Sequence, residues 1–259
     1  MADYLLFRLY GPMASWGEIA VGESRHSATY PSRSALIGLL GAALGLDRND
    51  DAAQRALTAG YRFAVKVESA GTPLRDYHTV QTPPRPGKNQ KYRIRAQELS
   101  NRRTLNTLLS EREYRCDALA VVAVEALDLA PWTLAQLAAA LRSPLFPLYL
   151  GRKSCPPALP LAPKVVSAAD LHEAFATQQC SLLSLARQSE SVDVAWPSWE
   201  DKSALHLHGE AVRYCWENGM KSGMEPELQI VRIDQPLSRR RWQFAPRREL
   251  VHFERGGKQ

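Results

Sequence analysis

The residues best suited to chemistry in this sequence are those that grip a polyanion. Between Thr72 and Arg115 lie ten Arg or Lys against four Asp or Glu, an excess equal to the net charge of +6 of all 259 residues. Tyr77, His78, Tyr92 and Tyr114 are interleaved with those cations. Cations meet phosphates and flat rings meet unstacked bases, so the pattern points to single-stranded nucleic acid. A solvated, charge-decorated loop is the competing reading. Arg25 and Arg33 lie in a long loop ahead of a helix, where free N–H groups already favour an anion. Arg102, Arg103 and Arg115 either touch RNA or pair with acids on a helix surface. Gly151-Arg152-Lys153 is a phosphate clamp or a plain surface turn. Trp16 either stacks on a base or packs as an anchor.

Other chemistries are poorly supplied. Gly38, Gly41 and Gly45 in GLLGAALG match neither a dinucleotide nor a Walker motif, and close helix packing accounts for them. Cys116, Cys155, Cys180 and Cys215 have no C-x-x-C spacing, which predicts reduced, mostly packed thiols. His206 and His208 would share one face of a strand without a third ligand at metal spacing, so neither a metal nor another cofactor is expected. No run approaches the roughly 18 apolar residues of a membrane span, and MADYLLFRLYG lacks signal-peptide character. The expectation is a cytoplasmic protein with no membrane partner.

The elements that must position these residues follow from periodicity. Tyr4 to Tyr10 alternates as a strand, Ser34 to Leu46 repeats leucines at helical spacing with Ser32 or Ser34 as cap, and Tyr61 to Glu68 alternates again. Within the basic segment, Lys91 to Arg95 reads as an exposed strand of a projecting β-rich arm. Ala118 to Ala126 is apolar on both faces, a central strand. Thr133 to Leu141 is a helix with capping-box spacing at Thr133 and Gln136, and Phe146 to Leu150 reads as one more strand. Prolines 156, 157, 160 and 163 make an extended boundary, followed by a helix near 167–178 and strands near 211–217, 227–234 and 247–254. The order predicts an α+β protein with the split βαβ arrangement of RRM and ferredoxin-like folds. It divides into a core at 1–164, with an insertion at 72–116, and a β-rich subdomain at 165–259. ALAVVAVEA has none of the aromatics of an RRM signature, so loops and arm, rather than the sheet face, are expected to bind.

Six segments in this order, LYGPMASWG, TYPSRSALIGLLGAALG, RDYHTVQTP, LSEREYRCDALAVVAV, PLYLGRKSCPPALPLAP and VRIDQPLSRRRWQFAPR, carry a family likeness. Together they make the chain similar to the CasD subunits of the type I-E CRISPR Cascade surveillance complex, nearly end to end. The resemblance implies an RRM-like core with a thumb-like β-hairpin insertion and a small C-terminal antiparallel sheet. It also implies a role at the foot of the complex, holding the 5′ handle of the CRISPR RNA (crRNA). The implied neighbours are CasC backbone subunits and the large CasA subunit, with target DNA met only within the assembled complex. Ser15 and Gly17 beside Trp16, and His78 and Gln81 in RDYHTVQTP, join the RNA-contact set on these motifs.

Relatives of this family in another CRISPR subtype cut precursor RNA, which needs a general base near a 2′-OH and a cation for the phosphorane. His26 and His78 are the imidazoles near basic residues here. In type I-E the resemblance assigns the cut to a separate subunit, so a non-catalytic role is expected and a metal-independent endoribonuclease is the alternative. A protein-interaction module with incidental charge is the third reading, kept open by Arg232, Arg239, Arg240, Arg241, Arg247 and Arg248.

Overall fold

The computed structural model describes residues 1–20, 22–84, 91–100, 104–177, 211–238 and 241–254. Its organising strand is β1 (Ala2–Tyr10), whose alternation sends Leu5, Phe7 and Leu9 to one face and Tyr4, Leu6 and Arg8 to the other. Both sets are buried because β1 is central. On one side it pairs with β9 (Leu119–Ala126), which pairs in turn with β6 (Tyr61–Ser69); on the other it pairs with β10 (Lys164–Ala168). The sheet continues through β11 (Val212–Glu217), β13 (Gln243–Glu254) and β12 (Leu228–Ser238), giving seven strands in the order β10-β1-β9-β6-β11-β13-β12. Every pairing in it is antiparallel.

Helices cover both faces. Ser32 caps α1 (Arg33–Ala43) by accepting from the Ala35 N–H, and Leu36, Ile37, Leu39 and Leu40 are buried against the Leu5–Phe7–Leu9 face. Gly41 lies where a Cβ would meet Leu57 of α2 (Asp51–Ala59) at 3.6 Å, so small residues here let two helices approach. The capping box of α4 (Leu134–Arg142) is formed by Thr133 and Gln136, and its stripe of Leu134, Leu137, Ala138 and Leu141 is buried on the same side. On the opposite face Leu171, Ala174 and Phe175 of α5 (Leu171–Thr177) pack with Tyr4, Leu6, Val121 and Ala123. These central strands therefore offer no bare face to a ligand.

Three expectations need correction. Phe146 to Leu150 is not a strand: Leu145 and Phe146 donate to carbonyls of α1, and Leu150 closes a turn with Cys155. The proline-rich stretch instead runs beside β1, with the Arg8 N–H donating to Leu161 and the Ala158 N–H to Tyr10, and delivers β10 to that edge. Secondly, the C-terminal strands form no separate sheet, since Arg213 to Trp216 pair with Val67 to Ala64 of β6. The boundary expected at 164/165 falls inside β10. Thirdly, Lys91 to Arg95 is no strand; it leads into α3 (Arg95–Glu98), where the Gln97 side chain accepts from the Arg93 N–H and Arg95 pairs with Glu98.

Candidate nucleic-acid interface

The basic segment folds into an antiparallel ribbon of β7 (Thr72–Thr82) and β8 (Asn106–Cys116), paired residue for residue from Thr72↔Cys116 to Thr82↔Asn106. At about 3.4 Å per residue, the eleven pairs make a ribbon some 35 Å long. Most of its side chains are exposed, Tyr77 and His78 included. Arg75 lies 3.3 Å from Glu111 and 3.4 Å from Glu113. These acids thus balance a cation across strands, and the competing reading of pairs on a helix surface does not apply to β8.

The loop after β1 is knitted to the root of this ribbon. Its short pieces β2 (Met13–Ala14) and β4 (Ser24–Arg25) pair with β8, while β3 (Trp16–Gly17) pairs with β5 (Ser27–Ala28). Ser15 is buried, with its N–H donating to Leu150 O at 3.0 Å and its hydroxyl to Glu113 O at 3.0 Å. The Ser27 hydroxyl accepts from the Trp16 N–H at 3.0 Å. Trp16 is only 4% exposed, so of its two readings the structure shows the packing anchor.

Glu113 ties the parts together. It accepts from the Ser27 N–H and lies 3.3 Å from His26 Nδ1. Burial pushes its carboxyl up, but the Ser27 N–H, His26 and the Arg75 charge outweigh burial and hold it below the usual range. The third wall is the turn after Leu150. Gly151 has φ +86°, and a Cβ there would stand 1.8 Å from Ser15 O, so only glycine lets this turn lie against the loop. Arg152 stacks on Tyr114 with its guanidinium 5.0 Å from the ring centroid, and its Nη1 donates to the Tyr114 hydroxyl at 3.3 Å.

Beside the ribbon's root the loop and the turn border a cleft of about 780 Å³, lined by Ser15, Trp16, Gly17, Arg25, His26 and Arg152 and, across from them, by α1, β12 and Trp242; no residue of β7 or β8 lines it. Gly17 is exposed, and a Cβ on it would meet nothing within 4 Å. Among the described residues, the side chains of Arg25, Arg115 and Lys153 have no hydrogen-bond or ion-pair partner. Arg115 sits at the ribbon's root, across from Ala14. His78 and Gln81 lie farther out on β7, with His78 Nδ1 3.2 Å from Asp76 and the Gln81 carbonyl accepting from Arg95. Arg102 and Arg103 lie outside the described residues, as do His206, His208, Arg239 and Arg240.

Arg33 is turned away from the cleft. It is 5% exposed, and its guanidinium donates to Glu217 at 2.8 Å, Thr58 O at 2.7 Å and Tyr61 O at 3.0 Å. Its N–H donates to Asp234, which is clamped by Arg247 at 2.6 and 3.0 Å. Arg247 also reaches Glu249, and the Tyr30 hydroxyl donates to the same carboxylate at 2.5 Å. Arg232 and Arg213 lie over the Tyr30 ring, 4.4 and 5.0 Å from its centroid. The phosphate role expected of Arg33 is thus corrected to a structural one, because helix geometry aims its side chain into a nest of carboxylates and carbonyls. Sequence reasoning missed Glu113 and this network. An acid in a basic run was the visible signal for the first, whereas the second joins residues some 200 positions apart.

The family described as CRISPR-associated protein (Cas_Cas5) matches residues 4–249. The CRISPR system Cascade subunit CasD of Escherichia coli (strain K12) is 37% identical over 183 residues, 68% of this chain and 76% of that protein. A chain of a CRISPR RNA-guided surveillance complex superposes with a TM-score of 0.60 at 24% identity, covering 97% of this chain and 90% of its own. A crystal structure of a Cas protein gives a TM-score of 0.55 at 25% identity, covering 98% of this chain and 100% of that one.

Proposed function

The chain belongs to the CRISPR-associated Cas5 family, and from that premise we propose that it is a non-catalytic RNA-holding subunit of a Cascade-type surveillance complex. It grips the 5′ handle of the crRNA at the root of the ribbon, beside CasC backbone subunits and the large CasA subunit. Target DNA meets it only in the assembled complex, and the site of action is the cytoplasm. The strand order β10-β1-β9-β6, in which β1 and β6 flank β9, is read as the RRM-like core of this family.

One observation carries the reading. A single cleft gathers Ser15, Gly17, Arg25 and Arg152; Lys153 follows in the turn that lines it, Arg115 stands on β8 outside its lining, and neither cation has an ion-pair partner among the described residues. Such cations favour phosphates, and the open space at Gly17 admits a sugar–phosphate chain close to the backbone. Trp16 supports the floor, His78 and Gln81 extend the contact along the arm, and Arg102 and Arg103 are assigned to RNA with them. Both ring nitrogens of His26 are engaged, by Ser24 and Glu113, whereas His78 has Asp76 on Nδ1 alone, so His78 is the imidazole on which the catalytic alternative rests.

The test incubates the full chain with end-labelled repeat RNA in EDTA at several salt concentrations. Retention of intact RNA is expected, its affinity falling by about 0.7 log units per log unit of salt for each phosphate neutralised. Arg25→Ala and Arg152→Ala should each lower that slope. A metal-independent product ending in a 2′,3′-cyclic phosphate, lost in His78→Ala or His26→Ala, would replace the holding role by catalysis.

A further inference from the structure

Trp242 is out of keeping with its surroundings. It sits where the turn from β12 enters β13, it is 60% exposed and its backbone is left-handed at φ +58°. An exposed indole forgoes the burial that a large ring offers, and a bulky residue in that region of φ is strained. Its contacts hold the ring without covering it. Phe244 meets it edge-on at 71° with centroids 5.8 Å apart, and the Arg48 guanidinium lies 4.6 Å from its centroid. So held, Trp242 lines the same cleft as Arg25 and Arg152.

The cleft's charges select the occupant. Three arginines, Arg25, Arg152 and Arg232, line it with two acids, the exposed Glu18 and Asp234, whose carboxylate is taken up by Arg247 and the Arg33 N–H. Arg25 has no acid to answer it among the described residues, whereas Arg152 is turned onto Tyr114. A rigid, open ring in the same cleft as the unanswered Arg25 fits a ligand that is both anionic and flat. An apolar peptide would use the ring together with exposed Val231 and Ile233 and leave the cations bare.

We propose that Trp242 is the stacking platform for one unpaired nucleobase of the RNA in this cleft, with Arg48 fixing the ring. The proposal rests on the RNA-holding reading above and adds to it a base-contacting residue on the C-terminal strands, away from the arm. A stacked base is sequence-tolerant, because every base has a π-face.

The experiment measures fluorescence anisotropy of labelled single-stranded repeat RNA with the full chain, using intact RNA and a series lacking one base at a time. The wild-type chain should lose affinity about 5- to 100-fold at one abasic position, the range of a single base–aromatic stack. Trp242→Ala should lose a similar factor on intact RNA and become indifferent to that one position, and Trp242→Phe should keep most of the affinity. If Trp242→Ala matches wild type on intact RNA while Arg152→Ala binds more weakly, stacking is overturned and RNA holding stands. Equal weakening on every RNA, with no position becoming silent, overturns stacking in favour of a structural role. Normal RNA affinity with loss of a co-purifying subunit assigns the ring to protein docking. Absence of RNA binding by the wild-type chain overturns both readings.

Discussion

Arg33→Met separates a structural arginine from a ligand arginine. The substitution keeps an unbranched apolar stem and removes a guanidinium that answers Glu217 and two backbone carbonyls in the interior. Glu217 is 14% exposed, and burial raises its carboxyl pKa even with the Arg33 charge pulling the other way. Removing one partner of a buried pair leaves the other uncompensated, at a cost of about 3–5 kcal/mol. A protein of this size loses about 2–4 °C of Tm per kcal/mol, so the melt should fall by about 6–20 °C. Circular dichroism at pH 7 measures it. Without Arg33 the Glu217 carboxyl is pushed higher still, so lowering the pH protonates it in the native state and the gap to wild type narrows. At temperatures where both proteins are folded, RNA affinity and its salt slope should be unchanged. A melt within about 2 °C of wild type, with a salt slope smaller by about 0.7, would place Arg33 on a phosphate and refute the inward assignment.

Three further outcomes follow from the same geometry. Burial pushes Asp234 up, but the Arg247 hydrogen bonds and charge, the Arg232 charge and the Arg33 N–H outweigh it and hold Asp234 below the usual range. The unfolded chain then binds the proton first as pH falls, so this stabilisation is complete above about pH 4 and is lost as pH drops through the depressed native value. Asp234→Asn should therefore lower Tm at pH 7 and flatten the acid limb of a Tm-against-pH series; an acid limb as steep as wild type would sink the idea. Gly151→Ala should lower stability by at least about 2 kcal/mol and weaken RNA binding, because a left-handed alanine is strained and its Cβ collides with Ser15 O. Gly17→Ala should leave Tm within about 1 °C, since its Cβ meets nothing, yet weaken RNA if a phosphate chain passes there; unchanged RNA affinity would remove Gly17 from the interface.

Local signals in the sequence translate into structure wherever one element decides them. The Thr133–Gln136 capping box and the both-sided apolar run before Glu125 specify α4 and β9 without help from the rest of the chain. Lys91 to Arg95 alternates as well as many strands do. Alternation without a partner is not enough, however, and the ribbon finds its partners in Thr72–Thr82 and Asn106–Cys116, leaving that stretch to a single helical turn. Phe146 to Leu150 loses its edge position for a similar reason. The carbonyls of α1 capture its first N–H groups, and Lys164–Ala168 takes the free side of β1. Trp242 and Glu113 share a further limit: an acid in a basic run marks Glu113 locally, but the exposure of the one and the cross-strand neighbours of the other are properties of the assembled sheet.

The arginines show why charge alone divides poorly into function. Arg25, Arg33, Arg152, Arg232 and Arg247 are indistinguishable by type, and four of them follow or precede turn residues. What separates them is the supply of carboxylates where each side chain lands. Arg33, Arg232 and Arg247 meet Glu217, Asp234 and Glu249, an interior set in which three cations face three acids. That balance pins the 30–33 corner, through Tyr30 and the Arg33 N–H, to β12 and β13. The corner in turn closes the loop that presents Ser15 to Gly17 and Arg25 to the cleft. Arg33 and Arg247, which do not line the cleft, therefore bear on the proposed RNA site only through position. Loss of one should change how much folded protein there is, whereas loss of Arg25 should change how tightly each folded molecule holds its phosphates.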